Sequence, residues 1–120
     1  MKENNILQQK TYQFAIRIIK AYKYLVEVKK EYVLSKQLLR CGTSIGANTE
    51  EALGGQSDRD FISKLGIVYK EAREAHYWIR LMRDTNYFEE TQATSLMADC
   101  EEILKITGSI IKTMKSKLNS

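Results

Sequence analysis

The chain predicts an all-α protein, an antiparallel up-down-up-down four-helix bundle, and three observations carry that expectation. None of its 120 residues is proline, where average usage is about 5%, so the commonest helix breaker is missing. Apolar residues recur at steps of three and four along most of the chain instead of alternating. The gaps between these patterns hold only a few residues, which sets consecutive helices side by side in opposite directions. A length of 120 residues is that of one domain with a sizeable core, and 43% hydrophobic with 28% charged residues is a globular composition.

The first helix is expected over about residues 5–28, where Phe14, Ile18, Ala21 or Tyr22, and Leu25 recur at helical spacing. It should end near Lys29 and Lys30, whose cations suit the negative end of the helix dipole. The second, about residues 32–53, carries Leu34, Leu38, Cys41, Ile45, Asn48 and Ala52. Gly54 and Gly55 should stop it by taking the left-handed conformation of a helix end.

Ser57 then makes a good N-cap, with Asp60 as the acidic member of a capping box. The third helix, about residues 57–86, has the cleanest seam: Phe61, Leu65, Val68, Ala72, Ala75, Ile79 and Met82 in strict four-three alternation. The fourth, about residues 89–117, carries Leu96, Cys100, Ile103, Thr107, Ile110 and Met114. A second row on it, Met97, Leu104, Ile111 and Leu118, exceeds what one bundle core requires and is expected to face another subunit. Helices of this size give a bundle about 35–40 Å long.

Several function classes lose ground at this level. No run approaches the roughly 18 apolar residues of a membrane span, and MKENNILQQK lacks the apolar core of a secretory signal. The expected location is therefore the cytoplasm, with no membrane partner. Cys41 and Cys100 sit on apolar stripes without paired spacing and read as reduced core thiols. A carboxylate-bridged metal centre of the ferritin-like kind needs Glu-x-x-His on two helices. This chain has one histidine, His76, with Arg73 three residues before it, so no metal or other cofactor is expected. Ser44 has no sequence-evident base, and Gly54-Gly55-Gln56 lacks the lysine and spacing of a phosphate loop. No catalytic residue is assigned.

Two groups of residues remain as candidate sites. In CGTSIGAN, Gly42 and Gly46 each cost a helix about 1 kcal/mol against alanine, which a close approach by a neighbouring helix would offset. Ser44, Asn48 and Glu51 share one face there, and Asn48 falls on the apolar seam. With Glu71 and Glu74 of the third helix they are expected to form a buried polar layer that fixes register. The same residues, Asn48 and Glu51 first, would line a pocket if the chain were an enzyme. The second group is basic. Arg73, Arg80 and Arg83 lie near one side of the third helix, with Tyr77 and Trp78 between them. Lys112, Lys115 and Lys117 crowd the end of the fourth. The net charge of +4 is mild, so it permits nucleic-acid contact without requiring it.

The run from Val33 to Tyr87 resembles a bacterial four-helix-bundle family first noticed as reading frames inside 23S ribosomal RNA intervening sequences. The likeness rests on Gln37 and Arg40, then Ser44, Ile45, Asn48 and Glu51, then Ser57, Asp60, Phe61, Ile62 and Leu65, then Glu71, Glu74, Trp78 and Ile79. Many members have glycine after the glutamate at Glu51, whereas this chain has Ala52 and continues its helix toward Gly54. The resemblance implies a bundle that assembles with itself into a cyclic homo-oligomer, commonly a homopentamer, without established enzymatic activity. It also brings in the accessory proteins of diversity-generating retroelements, similar in fold, which bind a reverse transcriptase and nucleic acid. The expectation is a non-enzymatic module contacting RNA, DNA or a ribonucleoprotein partner through basic surface. A protein-binding scaffold without nucleic acid is the alternative.

Overall fold

The computed structural model of the chain describes residues 2–119. Among them are four helices and no strand: α1 (Lys2–Glu27), α2 (Leu34–Leu53), α3 (Asp58–Asp84) and α4 (Glu90–Asn119). The outer turns of α1 and α4 extend past the expected bounds because they are polar and carry no apolar repeat to mark them. With 30 residues, α4 is about 45 Å long. The molecule measures 51 × 21 × 21 Å, longer than the expected bundle for that reason.

Helices α1 and α3 each pack on α2 and α4, and the α1–α4 seam is the thinnest of the four. Contacts climb one helix as they descend the next. Gln8 donates to Glu50 while Ile18 meets Gly42. Arg40 pairs with Glu71 while Glu51 pairs with Lys64. Tyr69 meets Gly108 while Arg83 reaches Met97. Lys10 pairs with Glu102 while Arg17 pairs with Asp99.

The core follows the four-three seams. Leu65, Val68, Ala72, Ala75, Ile79 and Met82 of α3 are buried against Leu96, Cys100, Ile103, Ile110 and Met114 of α4, Leu7, Phe14, Ile18 and Leu25 of α1, and Leu38, Cys41 and Ile45 of α2. Phe61 is only partly buried at the edge. Gly42 and Gly46 have the reason anticipated for them. A Cβ on Gly42 would stand 2.7 Å from two carbons of the buried Ile18, and one on Gly46 would stand 3.3 Å from the Thr11 carbonyl oxygen.

Four expectations need correcting. The seam position on α2 is Thr49, which is fully buried, and Asn48 lies half-buried beside it. Thr49 donates its hydroxyl to the Ile45 carbonyl at 2.9 Å, so it needs no partner from another helix. The end of α2 is not left-handed: Gly54 has φ −91°, and no glycine has positive φ. Gly55 is small for a different reason, since a Cβ there would be 3.1 Å from the Ala52 carbonyl oxygen and would have to displace the Asp60 carboxylate, 2.6 Å away. The left-handed residues are Lys30 (φ 56°) and Asn86 (φ 69°), and α1 stops at Glu27, ahead of the lysines. Finally, Met97, Leu104 and Ile111 pack partly buried against this chain's own core, and of that row only Leu118 is substantially exposed.

At the start of α3 the Ser57 cap is formed, its hydroxyl accepting from Asp60 N at 3.1 Å. Both cysteines are free and buried. Burial pushes the Cys41 thiol up to about 12, aided by the nearby Glu74 carboxylate, and raises Cys100 in the same way.

Candidate functional site

The residues expected in one polar layer occupy two places. Asn48 turns back within α2, its amide donating to the Ser44 carbonyl and hydroxyl at 2.9 Å each. Glu51 pairs with Lys64 at 3.3 Å on the exposed side. The other group centres on Arg40, which pairs with Glu71 at 2.9 Å and also with Glu74. The Trp78 indole donates to Glu74 at 3.0 Å. Hydrogen bonding from Trp78, ahead of the pairing with Arg40, holds the Glu74 carboxyl below the ordinary range even though burial opposes it. Arg40 is raised in turn, chiefly by its bond to Glu74. The network therefore ties α2 to α3 with one buried acid, Glu71, and one cation bridging two carboxylates. Arg40 entered the sequence reading only through the family likeness, because its partners lie 31 and 34 positions away.

The basic residues divide into three groups. Arg73 and Arg80 are exposed and line a cleft of about 450 Å³ with His76 and Tyr77 of α3 and Glu101 and Leu104 of α4. Tyr77 is 45% exposed in it. The Arg80 guanidinium carbon lies 6.0 Å from the Tyr77 ring centre, the outer limit of a cation–π contact. Tyr77 also meets Trp78 edge-on at 5.0 Å, so the network behind it steadies its ring. His76 and Glu101 close the floor at 2.9 Å. Among the described residues neither Arg73 nor Arg80 forms an ion pair. Arg83 stands apart, bonded to Asp84 at 2.9 Å and turned toward the Met97 sulfur. Lys112, Lys115 and Lys117 lie in the last turns of α4. Lys115 lines a second cleft, of about 470 Å³, with Arg59, Ile62 and Leu118. Arg59 and Arg73 are 14 positions apart on one helix, about 20 Å.

The sequence reading missed one apolar feature. Tyr12, Ile16 and Ile19 are 65%, 40% and 41% exposed, and their spacing sets them on one face of α1. They lie away from the side occupied by Phe14 and Ile18. Their four-three spacing was visible, but it competes with the stronger buried stripe of the same helix.

Among the described residues no three of His, Cys, Asp and Glu converge as a metal would need. No helix among them is long and apolar enough to cross a membrane. Four packed helices, an interhelical ionic network and a surface cleft edged by arginine and tyrosine define a small all-α module. Its sequence places it more narrowly: residues 3–109 match the 23S rRNA-intervening sequence protein family, and the chain belongs to that family. It is 49% identical to a protein of unknown function from the S23 ribosomal protein family of Bacteroides thetaiotaomicron. That crystal structure superposes with a TM-score of 0.90, the match covering 92% of this chain and 98% of the other. No curated protein matches the chain.

Proposed function

We propose that this chain is a non-enzymatic cytoplasmic module, folded up-down-up-down and assembled into a ring of the pentameric kind, that binds nucleic acid or a ribonucleoprotein through its basic surface. The observation that carries the reading is the cleft on α3 and α4. Two exposed arginines without ion-pair partners flank an exposed tyrosine there, which pairs phosphate-binding cations with a ring on which a base can stack. Arg83, Lys112, Lys115 and Lys117 extend the basic surface toward the two ends of the bundle. A ring multiplies such modest contacts by avidity, and the exposed row Tyr12, Ile16 and Ile19 is apolar surface suited to a subunit contact.

The polar groups near Asn48 and Glu51 have partners within the fold, which favours a structural role over catalysis. Replacing Arg73 and Arg80 together with alanine should weaken binding of a short oligonucleotide at least tenfold at low salt without changing the mass of the assembly. Unchanged binding by that variant would remove the cleft from the reading. The α1 row also supports a second reading, a scaffold that holds a protein partner. That reading gains if Ile16→Asp leaves the assembly intact and nucleic acid does not bind.

A further inference from the structure

The net charge is unevenly spread. Residues 1–33 hold seven Lys and Arg against three Asp and Glu, so the whole excess of +4 falls in α1 and the loop after it, and the rest of the chain is neutral. Two of the cations in that segment, Lys10 and Arg17, pair with Glu102 and Asp99 of α4. Lys20, Lys23, Lys29 and Lys30 are exposed and form no ion pair among the described residues.

The loop between α1 and α2 shows why its acid forms no ion pair with them. Glu31 is buried, and its carboxylate accepts from the N–H groups of Val33 at 3.2 Å and Ser35 at 2.7 Å. The Ser35 hydroxyl donates back to the Glu31 carbonyl at 2.9 Å, and Glu31 N donates to Leu25 O. Glu31 thus does the capping that Val33, at the N-cap, cannot do with its own side chain. With the acid turned inward, Lys29, Lys30 and Tyr32 are among the exposed residues of the loop, with Lys36 in the first turn of α2. Tyr32 is 52% exposed, between Val28 at 63% and Val33 at 71%. Glu27, at the end of α1, is also exposed, and Asp84, Glu89 and Glu90, where α3 ends and α4 begins, are exposed at the same end of the bundle. Lys20 continues the track into the α1–α4 groove, a cleft of about 340 Å³ that it lines with Arg17, Tyr24 and Phe88.

The geometry points to a binding surface for single-stranded nucleic acid at this end of the molecule: Lys20, Lys23, Lys29, Lys30 and Lys36 follow the phosphates, and Tyr32 stacks a base. This inference rests on the nucleic-acid reading above and places a second contact surface outside the α3–α4 cleft. Lysines spaced along a helix and its following loop suit a flexible backbone, and an exposed ring flanked by apolar side chains needs an unpaired base face, which a duplex hides.

The test is anisotropy of a labelled mixed-sequence oligonucleotide, single-stranded and as a duplex, titrated against salt. Phosphatidylserine vesicles serve as the competing anionic surface. The variants are Lys29→Gln with Lys30→Asn, since asparagine tolerates the left-handed backbone at Lys30, and Tyr32→Ala. Lys20→Gln with Lys23→Gln, on exposed helix, repeats the test away from the loop. Each lysine pair should lower the log–log salt slope for single strands by about 1.4. Tyr32→Ala should weaken binding about tenfold with the slope unchanged. The inference is overturned if these variants bind like the parent while Arg73→Ala with Arg80→Ala loses binding, which leaves the cleft reading standing. Tighter binding to duplex, or binding to vesicles alone, overturns it as well. No binding of any oligonucleotide by the parent protein sinks both readings.

Discussion

Replacing Gly42 with alanine and Gly66 with alanine should move stability in opposite directions, although both glycines interrupt a helix. Alanine gains about 1 kcal/mol of helix propensity at either position. At Gly66 nothing lies within 4 Å of the new methyl, so that gain should appear nearly whole. At Gly42 the methyl would sit 2.7 Å from both Cγ1 and Cγ2 of Ile18. Ile18 is 0% exposed, β-branched and stiff at χ1, so it cannot swing aside. Overpacking costs about 1–3 kcal/mol, and two contacts at 2.7 Å against a side chain that cannot move put this one at the upper end, about 2–3 kcal/mol, which leaves Gly42→Ala destabilised by about 1–2 kcal/mol after the propensity gain. Urea unfolding at fixed protomer concentration reads both changes. With m near 2 kcal/mol/M, the midpoint should fall by about 0.5–1 M for Gly42→Ala and rise by about 0.5 M for Gly66→Ala, with m unchanged. If Gly42→Ala were as stable as Gly66→Ala, the close α1–α2 approach would not be what holds glycine at position 42.

Further outcomes follow from the same contacts. Glu31→Gln should lose about 1–2 kcal/mol by weakening the cap on α2, measured as a midpoint shift. Burial raises the Glu31 carboxyl, but the N–H groups of Ser35, Leu34 and Val33 outweigh it and leave it below the ordinary range. A lowered folded pKa means that its stabilisation is complete above the unfolded pKa and disappears as pH falls through the folded one. The gap between parent and Glu31→Gln should therefore narrow in acid; a gap constant from neutral pH into strong acid would contradict the capping role. Arg40→Ala should destabilise by about 1–3 kcal/mol, because it strands the buried Glu71. Adding Glu71→Gln should recover part of that loss, and strict additivity of the two changes would show that the pair does not interact. Thr107→Val should raise the urea midpoint by an amount equivalent to about 1 kcal/mol, since the buried Thr107 hydroxyl has no hydrogen-bond partner among the described residues; a lower midpoint would mean that the hydroxyl is satisfied. Cys41 and Cys100, buried with raised thiols, should react with a thiol reagent at pH 8 only as fast as the protein unfolds, and prompt reaction would contradict their burial.

The helices were legible in the sequence wherever burial imposes a 3.6-residue period. The seams of α3 and α4 show this, since six of the seven α3 positions and all six on α4 are buried. Where two polar residues are neighbours, periodicity could not choose between them. Thr49 took the buried position because a threonine hydroxyl can bond the carbonyl one turn back, an option that Asn48 used at the edge instead, toward Ser44. The apolar row of α1 was hidden for another reason. Ile16 and Ile19 alternate with Ile18 and Phe14, and only the placement of α2 and α4 decides which set is covered. The same placement partly covers most of the second row of α4. The Arg40 network and the inward turn of Glu31 depend on contacts and backbone geometry that spacing does not encode. The glycines of α2 were readable because their helix cost had to be offset by a close neighbour.

The most direct measurement is binding of short single- and double-stranded RNA and DNA as a function of salt, on protein whose mass in solution is known as a multiple of the 13.9 kDa protomer. Contact with several phosphates predicts an oligomer whose affinity falls steeply and linearly on a log–log salt plot. An intact oligomer that binds none of these at low salt would contradict that and leave a protein-binding scaffold as the remaining reading.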